Sequence, residues 1–254
     1  MKKSKPLLTI VTPVFNEEHT VIELLTRVYN LKSNLFEKEM IIVESNSTDG
    51  SRKLVQDFVK KHPEIRLFLE KKPTGKSAAV RKGIAAATGD IILIQDADLE
   101  YDVNDYDKLV KPIIEGKTSF VLGSRHLRED HSFNWQIRKF KGREILWAYT
   151  MNIGAQLMDK FFNVLYGTHL TDPHTMFKVF KRDLVKQVHL EGEFFELDVE
   201  LVSKFIRLGH IPIEVPVKYN SRGPAEGKKV RFARDGSRMI KTIIKYRFLD
   251  KKYL

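Results

Sequence analysis

Cysteine is absent from this chain of 254 residues. Disulfide bonds and cysteine metal sites are therefore excluded, and the composition fits a reducing compartment. No run of about 18 apolar residues occurs, so a membrane-spanning helix is not expected. The opening Met-Lys-Lys-Ser-Lys leads into a short apolar strand pattern and not into an apolar segment of signal-peptide length. We therefore expect a cytoplasmic protein.

Positive charge is abundant but uneven along the chain, which carries a formal net charge of +11. Residues 218–254 hold 12 Lys and Arg against 3 Asp and Glu, so they contribute +9 of that total. Residues 237–249 predict a basic amphipathic helix, with Ile240, Ile243, Ile244 and Phe248 on one face and Arg238, Lys241 and Lys245 on another. Such a helix fits the surface of an anionic membrane, and it also fits ordinary packing on a core. A nucleic-acid partner is not expected, because no nucleic-acid-binding motif accompanies the basic segment.

Apolar strand patterns alternate with amphipathic helix patterns from residue 7 onward. We predict strands at 7–14, 40–43, 65–69, 91–94, 120–122 and 175–180, with an edge strand at 211–217. Asn16 is expected to cap the first helix, with Glu17 and Glu18 in its first turn. The alternation predicts an α/β fold with a mostly parallel central sheet and helices on both faces.

Three acidic residues at alternate positions, Asp96, Asp98 and Glu100, follow the apolar strand 91–94. If the backbone stays extended there, their carboxylates converge on one point. Converging carboxylates repel one another unless a cation lies between them, and oxygen ligands favour Mg²⁺ or Mn²⁺. A solvated acidic loop is the alternative. Other polar turns follow strands 7–14 and 40–43, and the strand ends of such sheets are where ligands bind, which favours the metal site.

The motifs, taken in order, resemble those of the GT-A fold glycosyltransferases of family 2, in particular the polyprenyl-phosphate branch that includes dolichol-phosphate-mannose synthases. The matching segments run from about residue 7 to residue 230. They are Thr12 to Glu18, Ser47 to Ser51, Gly75 to Ala79, Asp96-Ala97-Asp98 with Glu100, Gly123-Ser124-Arg125, Asp172 with Met176-Phe177-Lys178, Phe195 to Leu201, and Glu226 to Lys229.

The resemblance implies a Rossmann-like GT-A domain over residues 1–254. Its parts would be a nucleotide-sugar-binding half (1–125), an acceptor-side half (126–217), and a basic loop with a C-terminal helix (218–254). It implies these substrate-binding residues: Pro13, Phe15, Glu17, Glu44, Lys76, Asp96, Asp172, Lys228 and Arg231. It implies a Mg²⁺ or Mn²⁺ ion on Asp96, Asp98 and Glu100, and catalytic roles for Asp98, Arg125, Asp198 and Glu200. The family usually has two adjacent aspartates where this chain has Glu44 and Ser45, so the nucleotide base stays open between UDP and GDP.

The resemblance also implies an inverting reaction that moves a sugar from a nucleotide sugar to a polyprenyl phosphate. A lipid phosphate is already anionic and needs no general base, whereas a saccharide hydroxyl does. Asp198 and Glu200 would therefore act chemically only on a hydroxyl acceptor. Two different functions also stay open, namely a non-catalytic nucleotide- or carbohydrate-binding module and a nucleotidyltransferase. With a lipid acceptor, we expect the protein to lie peripherally on the cytoplasmic face of a membrane.

Overall fold

The computed structural model describes residues 4–135, 138, 145–192, 196–222 and 232–249. Seven strands of these residues form one sheet. They are β1 (Leu7–Val14), β2 (Glu37–Glu44), β3 (Arg66–Leu69), β4 (Ile91–Ile94), β5 (Phe120–Ser124), β6 (Lys178–Lys181) and β7 (Ile213–Pro216). The strand order across the sheet is β3-β2-β1-β4-β6-β5-β7.

Most neighbouring strands are parallel, as the sequence predicts. Strand β1 pairs with both β2 and β4, so that Ile10 lies opposite Met40 on one side and Leu93 on the other. Strand β6 is the exception, because it lies antiparallel between β4 and β5. The prediction of an edge strand is confirmed by β7, which pairs only with β5 among the described strands.

Eight α-helices belong to the described residues, and no helix among them is long and apolar enough to cross a membrane. They are α1 (Val21–Asn30), α2 (Ser51–Lys61), α3 (Lys76–Ala86), α4 (Tyr106–Ile114), α5 (Ile145–Tyr166), α6 (Arg182–Val185), α7 (Glu196–Arg207) and α8 (Phe232–Ile244). A short 3₁₀ helix (Val103–Asp105) precedes α4, and a π-helical turn (Lys245–Leu249) follows α8.

Both faces of the sheet are buried. Successive side chains of a strand point to opposite faces, so one strand contributes to two apolar clusters. In β4, Ile91 and Leu93 join one apolar cluster and Ile92 and Ile94 join another. Helices α1, α2 and α4 complete the first cluster, and α3, α5 and α7 complete the second. Gly83 lets α3 lie close against the sheet, since a Cβ there would overlap the side chain of Val11. These two clusters fix the strand ends that carry the polar loops.

The first helix begins later than the sequence predicts. Its N-cap residue is Thr20, and α1 starts at Val21. Asn16 instead has a positive φ of 52°, a conformation that asparagine tolerates better than most residues. Its side chain accepts a hydrogen bond from the backbone N–H of Thr48 at 2.8 Å. Asn16 thus stabilises a loop contact and does not cap a helix.

Candidate functional site

The carboxyl ends of β1, β2 and β4 lie side by side at one edge of the sheet. The loops that follow these strands line a cavity of about 860 Å³. Helix α3 adds its first residue, Lys76, and α7 adds Asp198. In parallel α/β sheets, this edge is where ligands bind. The cavity is therefore the candidate active site.

The loop after β1 is held by the loop after β2. The backbone N–H groups of Asn16 and Glu17 donate to the hydroxyls of Ser47 and Ser51 at 3.0 and 2.8 Å. In return, the Glu18 carboxylate accepts the N–H of Gly50 at 2.9 Å. The serine-rich turn that the sequence singled out is thus a support, and it places Phe15 and Glu17 at the cavity.

Four carboxylates, which we call the acidic cluster, line the cavity: Glu17, Asp96, Asp98 and Glu100. The chain bends after β4 and does not stay extended, so the condition on which the convergence of the last three was predicted is not met. Asp96 contacts the Lys76 ammonium, with an Nζ–Oδ1 distance of 2.6 Å. Among the described residues, no three His, Cys, Asp or Glu side chains are arranged to hold a metal ion.

Arg222 provides the second cation of the acidic cluster. Its guanidinium Nη1 lies 2.8 Å from Glu17 Oε2, and Nη2 lies 2.6 Å from Asp98 Oδ2. The backbone N–H of Arg222 donates to Glu100 Oε1 at 2.8 Å. Tyr219 donates its hydroxyl to the other oxygen of Glu100 at 2.7 Å. Residues 219–222 thus lie against the loop after β4.

The charges of the acidic cluster fit a divalent cation. Four ionised carboxylates face Lys76 and Arg222, which leaves a formal charge of −2. Burial raises the pKa of Asp98 to about 7, and the charges of Asp96 and Glu100 add to the rise, while Arg222 opposes it. Burial and the neighbouring carboxylates thus outweigh Arg222, and the positive charge present does not balance the acidic cluster. Oxygen-only donors and this missing charge suit Mg²⁺ or Mn²⁺.

A fifth carboxylate, Asp198, lies on the cavity wall near two lysines. Burial raises its pKa, while the charges of Lys178 and Lys76 lower it in part. Lys178 is fully buried, and its ammonium is 3.7 Å from Asp198 Oδ1. Burial lowers the pKa of Lys178. The pKa of Lys76 is raised, because the charges of Asp96 and Asp198 outweigh the cost of burying its ammonium.

A buried ion pair holds Arg125 in the cavity lining. Arg125 donates from Nε and Nη2 to the two oxygens of Asp172, each at 2.7 Å. Burial alone would raise the pKa of Asp172, but Arg125 holds it down at about 2. Behind the pair, the Glu214 carboxylate accepts the backbone N–H groups of Thr171 and Asp172 at 2.6 and 2.7 Å. Burial raises the pKa of Glu214 to about 7.

Arg138 adds another cation to the cavity lining. Its Nε and Nη1 atoms are buried and have no hydrogen-bond partner among the residues that the structure describes. Its backbone is held by Asn152 of α5, which accepts from the Arg138 N–H at 3.2 Å and donates to its carbonyl at 3.0 Å. The lining also includes apolar side chains, among them Met151 and Met158 of α5 and Met239 of α8.

The structure brings most of the predicted site residues to this cavity. Its lining includes Pro13, Phe15, Glu17, Lys76, Asp96, Asp98, Glu100, Arg125 and Asp198. Asp172 lies behind Arg125, which it orients, and is itself fully buried. Lys228 and Arg231 lie outside the described residues.

Two predicted residues point elsewhere. Glu44 is fully buried, accepts the N–H of Ser47 at 2.6 Å, and lies 3.4 Å from Arg52 Nε, so it supports its own loop. The residue after it, Ser45, lines the cavity instead. Glu200 is also fully buried and lies 2.8 Å from the Lys204 ammonium, which is fully buried as well. One helical turn separates the two, so both face the core. The predicted direct roles of Glu44 and Glu200 are not supported by these positions.

Sequence reasoning missed Arg222, Arg138 and Lys178. The first belongs to a segment with many Lys and Arg residues, and no spacing distinguishes it from its neighbours. The second lies in a stretch without apolar periodicity. The third was part of a matched motif, and a lysine inside a predicted strand was the available signal of a buried charge.

Comparison with known proteins places these observations in a family. A model described as glycosyl transferase family 2 matches residues 9–188. The dolichol-phosphate mannosyltransferase of Pyrococcus furiosus is 23% identical over 88% of this chain and 60% of its own length. A dolichyl-phosphate beta-glucosyltransferase of Dictyostelium discoideum is 27% identical over 95% of this chain and 74% of its own length. The chain thus spans about 60% of the archaeal relative.

Solved structures support the fold. Glucosyl-3-phosphoglycerate synthase from Mycobacterium tuberculosis, crystallised with Mn²⁺, uridine diphosphate and glucosyl-3-phosphoglycerate, matches 95% of this chain and 80% of its own chain. The TM-score is 0.66 and the sequence identity is 18%. The same enzyme with Mg²⁺ and uridine diphosphate gives a TM-score of 0.65. This likeness identifies the shared GT-A architecture of the sheet and its helices.

Proposed function

Because the chain belongs to glycosyl transferase family 2, we propose that it transfers a sugar, with inversion, from a UDP- or GDP-sugar to a polyprenyl phosphate. The observation that carries this proposal is the charge distribution of the cavity. The acidic cluster, Arg125 and Arg138 line the same cavity, together with apolar side chains of α5 and α8. The relatives' names include transferases to dolichyl phosphate, which supports the same acceptor.

The acidic cluster suits the nucleotide sugar. Asp96, Asp98 and Glu100 would hold Mg²⁺ or Mn²⁺, and such an ion would offset the negative charge that develops on the departing diphosphate. Lys76 begins α3, so its ammonium and the helix N-terminus both favour a phosphate nearby. Gly75 precedes it with a φ of 87°, which only glycine adopts easily. Phe15, with 37% of its surface exposed, offers an aromatic face to the nucleotide.

The two arginines of the cavity, Arg125 and Arg138, suit the acceptor phosphate. Asp172 already neutralises Arg125, whereas two buried nitrogen atoms of Arg138 have no partner among the described residues. A buried donor without a partner is costly, and phosphate oxygens would satisfy it. The apolar wall of α5 and α8 would then face the first isoprene units. Residues 1–125 would bind the donor and residues 126–217 the acceptor phosphate.

The same geometry bears on the need for a general base. A phosphate acceptor attacks as an anion, so Asp198 would only orient Lys76 and Lys178. A saccharide hydroxyl is the second candidate acceptor, and the specific observation that favours it is the raised pKa of Asp198 at the cavity wall. Asp198→Asn separates the two. A turnover within a few-fold of the wild type supports the phosphate acceptor, and a loss of about a hundredfold or more supports the hydroxyl.

Contact with a membrane surface is part of the proposal. Helices α5 and α8, which both line the cavity, carry large exposed apolar side chains. The exposed fraction is 74% for Leu146, 62% for Leu157 and 41% for Ile240. The π-helical turn adds Phe248, which is 53% exposed. Together with the basic C-terminal segment, these side chains fit an anionic bilayer surface, from which a polyprenyl chain would enter the cavity.

The decisive experiment is a panel of UDP- and GDP-sugars with polyprenyl phosphate or simple glycosides, with Mn²⁺ or EDTA, scored for nucleoside diphosphate. We expect release only with polyprenyl phosphate and metal. Asp98→Ala should abolish it, and Asp183→Ala, which changes an exposed aspartate on α6, should not. Release of pyrophosphate would identify a nucleotidyltransferase, and metal-dependent binding without turnover would identify a binding module. Nucleotide-sugar binding that EDTA and Asp98→Ala leave undiminished would contradict the metal assignment.

A further inference from the structure

Arg222 touches three of the four carboxylates of the acidic cluster. Its side chain reaches Glu17 at 2.8 Å and Asp98 at 2.6 Å, and its Nε atom lies 3.6 Å from Glu100 Oε1. Only 20% of this side chain is exposed. The guanidinium contacts three acidic side chains and offsets the repulsion between their carboxylates. It therefore takes the role that a bound metal ion would have.

The backbone around Arg222 is held independently of its side chain. The Arg222 N–H donates to Glu100 Oε1 at 2.8 Å, and the Asn220 N–H donates to the Glu100 carbonyl at 2.8 Å. Tyr219 forms an isolated antiparallel bridge with Tyr101 and donates its hydroxyl to Glu100. Removing the guanidinium would therefore leave the segment in place, so its electrostatic effect can be measured separately.

The carboxylate oxygens of Asp98 and Glu100 already accept hydrogen bonds from this segment or from the neighbouring backbone. Asp98 Oδ1 accepts the backbone N–H of Glu100 at 3.1 Å, and Oδ2 accepts from the guanidinium. Both carboxylate oxygens of Glu100 accept hydrogen bonds from the segment of Arg222. A hard cation needs direct contact with carboxylate oxygens at about 2.0–2.2 Å. A divalent ion on Asp98 Oδ2 would therefore lie beside the guanidinium that donates to this oxygen at 2.6 Å, and the two positive charges would repel each other strongly.

We propose that Arg222 is a positioning residue that occupies the cation position of the acidic cluster, and that a divalent ion binds Asp98 only by displacing its guanidinium. This inference rests on the proposed function, because it takes the acidic cluster as the metal site. When no metal is bound, Arg222 keeps the carboxylates close together. It also weakens the affinity of the site for a metal ion that binds without nucleotide. Together, these effects make the site selective for ligands that bring enough binding energy to move the arginine.

The test is the affinity for Mn²⁺ without nucleotide, measured from the electron paramagnetic resonance signal of free Mn²⁺. Arg222→Gln should bind Mn²⁺ at least about tenfold more tightly than the wild type, since a unit charge in contact with the ligand oxygens is removed. The matched control is Lys218→Gln, which removes one positive charge from an exposed side chain of the same segment. Its affinity should stay within about twofold of the wild type, because solvent screens that charge.

A second variant, Arg222→Lys, retains the charge but cannot contact three carboxylates at once, and its affinity should lie between those of the wild type and Arg222→Gln. Thermal unfolding checks that each variant is folded. Equal or weaker Mn²⁺ binding by folded Arg222→Gln would overturn the proposal, as would a crystal structure with Mn²⁺ on Asp98 and Arg222 unmoved. Tighter binding without sugar transfer from any donor would support it while rejecting the proposed reaction.

Discussion

Replacing Asp172 by asparagine should destabilise the protein strongly, although this side chain does not line the cavity. Asp172 is fully buried, and its two oxygens accept hydrogen bonds from Arg125 at 2.7 Å. Arg125 lowers its pKa from 3.8 to about 2. That lowering of the pKa, at about 1.36 kcal/mol for each pH unit, corresponds to about 2 kcal/mol of stability. The amide of the variant would also leave the buried guanidinium without a counter-charge, which typically costs about 3–5 kcal/mol.

We therefore expect Asp172→Asn to lower the free energy of unfolding at pH 7 by about 3–5 kcal/mol, measured by urea denaturation. The matched control is Asp183→Asn, which removes a carboxylate 2.8 Å from Lys186 on the surface. It should leave the midpoint unchanged, because solvent screens that pair.

The pH dependence provides an independent check on this reasoning. Because the folded pKa of Asp172 lies below its unfolded value, its contribution is present above about pH 4 and is lost as the pH falls toward 2. The difference in stability between the wild type and Asp172→Asn should shrink over that interval. A loss below about 1 kcal/mol at pH 7, or a difference that does not change with pH, would refute the assignment of a buried ion pair.

Three further predictions concern other regions. Glu200→Gln should lower stability to urea, because Glu200 pairs with Lys204 in the core. The folded variant should keep sugar transfer near the wild-type rate, and a loss of transfer in folded protein would support the predicted catalytic role of Glu200. Glu214 has a folded pKa of about 7, raised from 4.5. The protonated side chain therefore favours folding, by at most about 3 kcal/mol, below about pH 4.5. This contribution is lost as the pH rises through 7. Glu214→Gln should flatten that slope in urea titrations, and an unchanged slope would exclude Glu214 as its source. Leu157→Ser and Phe248→Ser should each weaken sedimentation with anionic vesicles while nucleotide binding persists, and unchanged partitioning would reject the membrane surface.

The C-terminal segment also shows why substitutions are better tests than truncation. Ile243 is fully buried in the second apolar cluster, and Tyr166 donates its hydroxyl to the Ile243 carbonyl at 3.0 Å. Tyr246 is also buried, and its carbonyl accepts from Arg207. Deleting this segment would expose part of the core, so a loss of vesicle binding would not report on the surface alone.

The sequence by itself determined the order of strands and helices and most of the cavity lining. These features are local, because apolar periodicity and turn residues mark each element, and parallel βαβ units bring the strand ends to one edge. The positions of Pro13, Lys76 and Asp98 at that edge follow from their places at the end of a strand, at the start of a helix and just after a strand. Local reasoning did not locate the start of α1, because Asn16 has a positive φ and joins a loop contact.

Only the tertiary structure decided which charges meet. Arg222 reaches Glu17 across 205 residues of chain, and Arg125 reaches Asp172 across 47. Glu200 and Asp198 lie two positions apart on α7, yet one faces the core and the other faces the cavity. Neither spacing nor residue type carries this information, since it depends on how the helices pack. The strength of an ionic contact depends on burial and distance, and both exist only after the chain has folded.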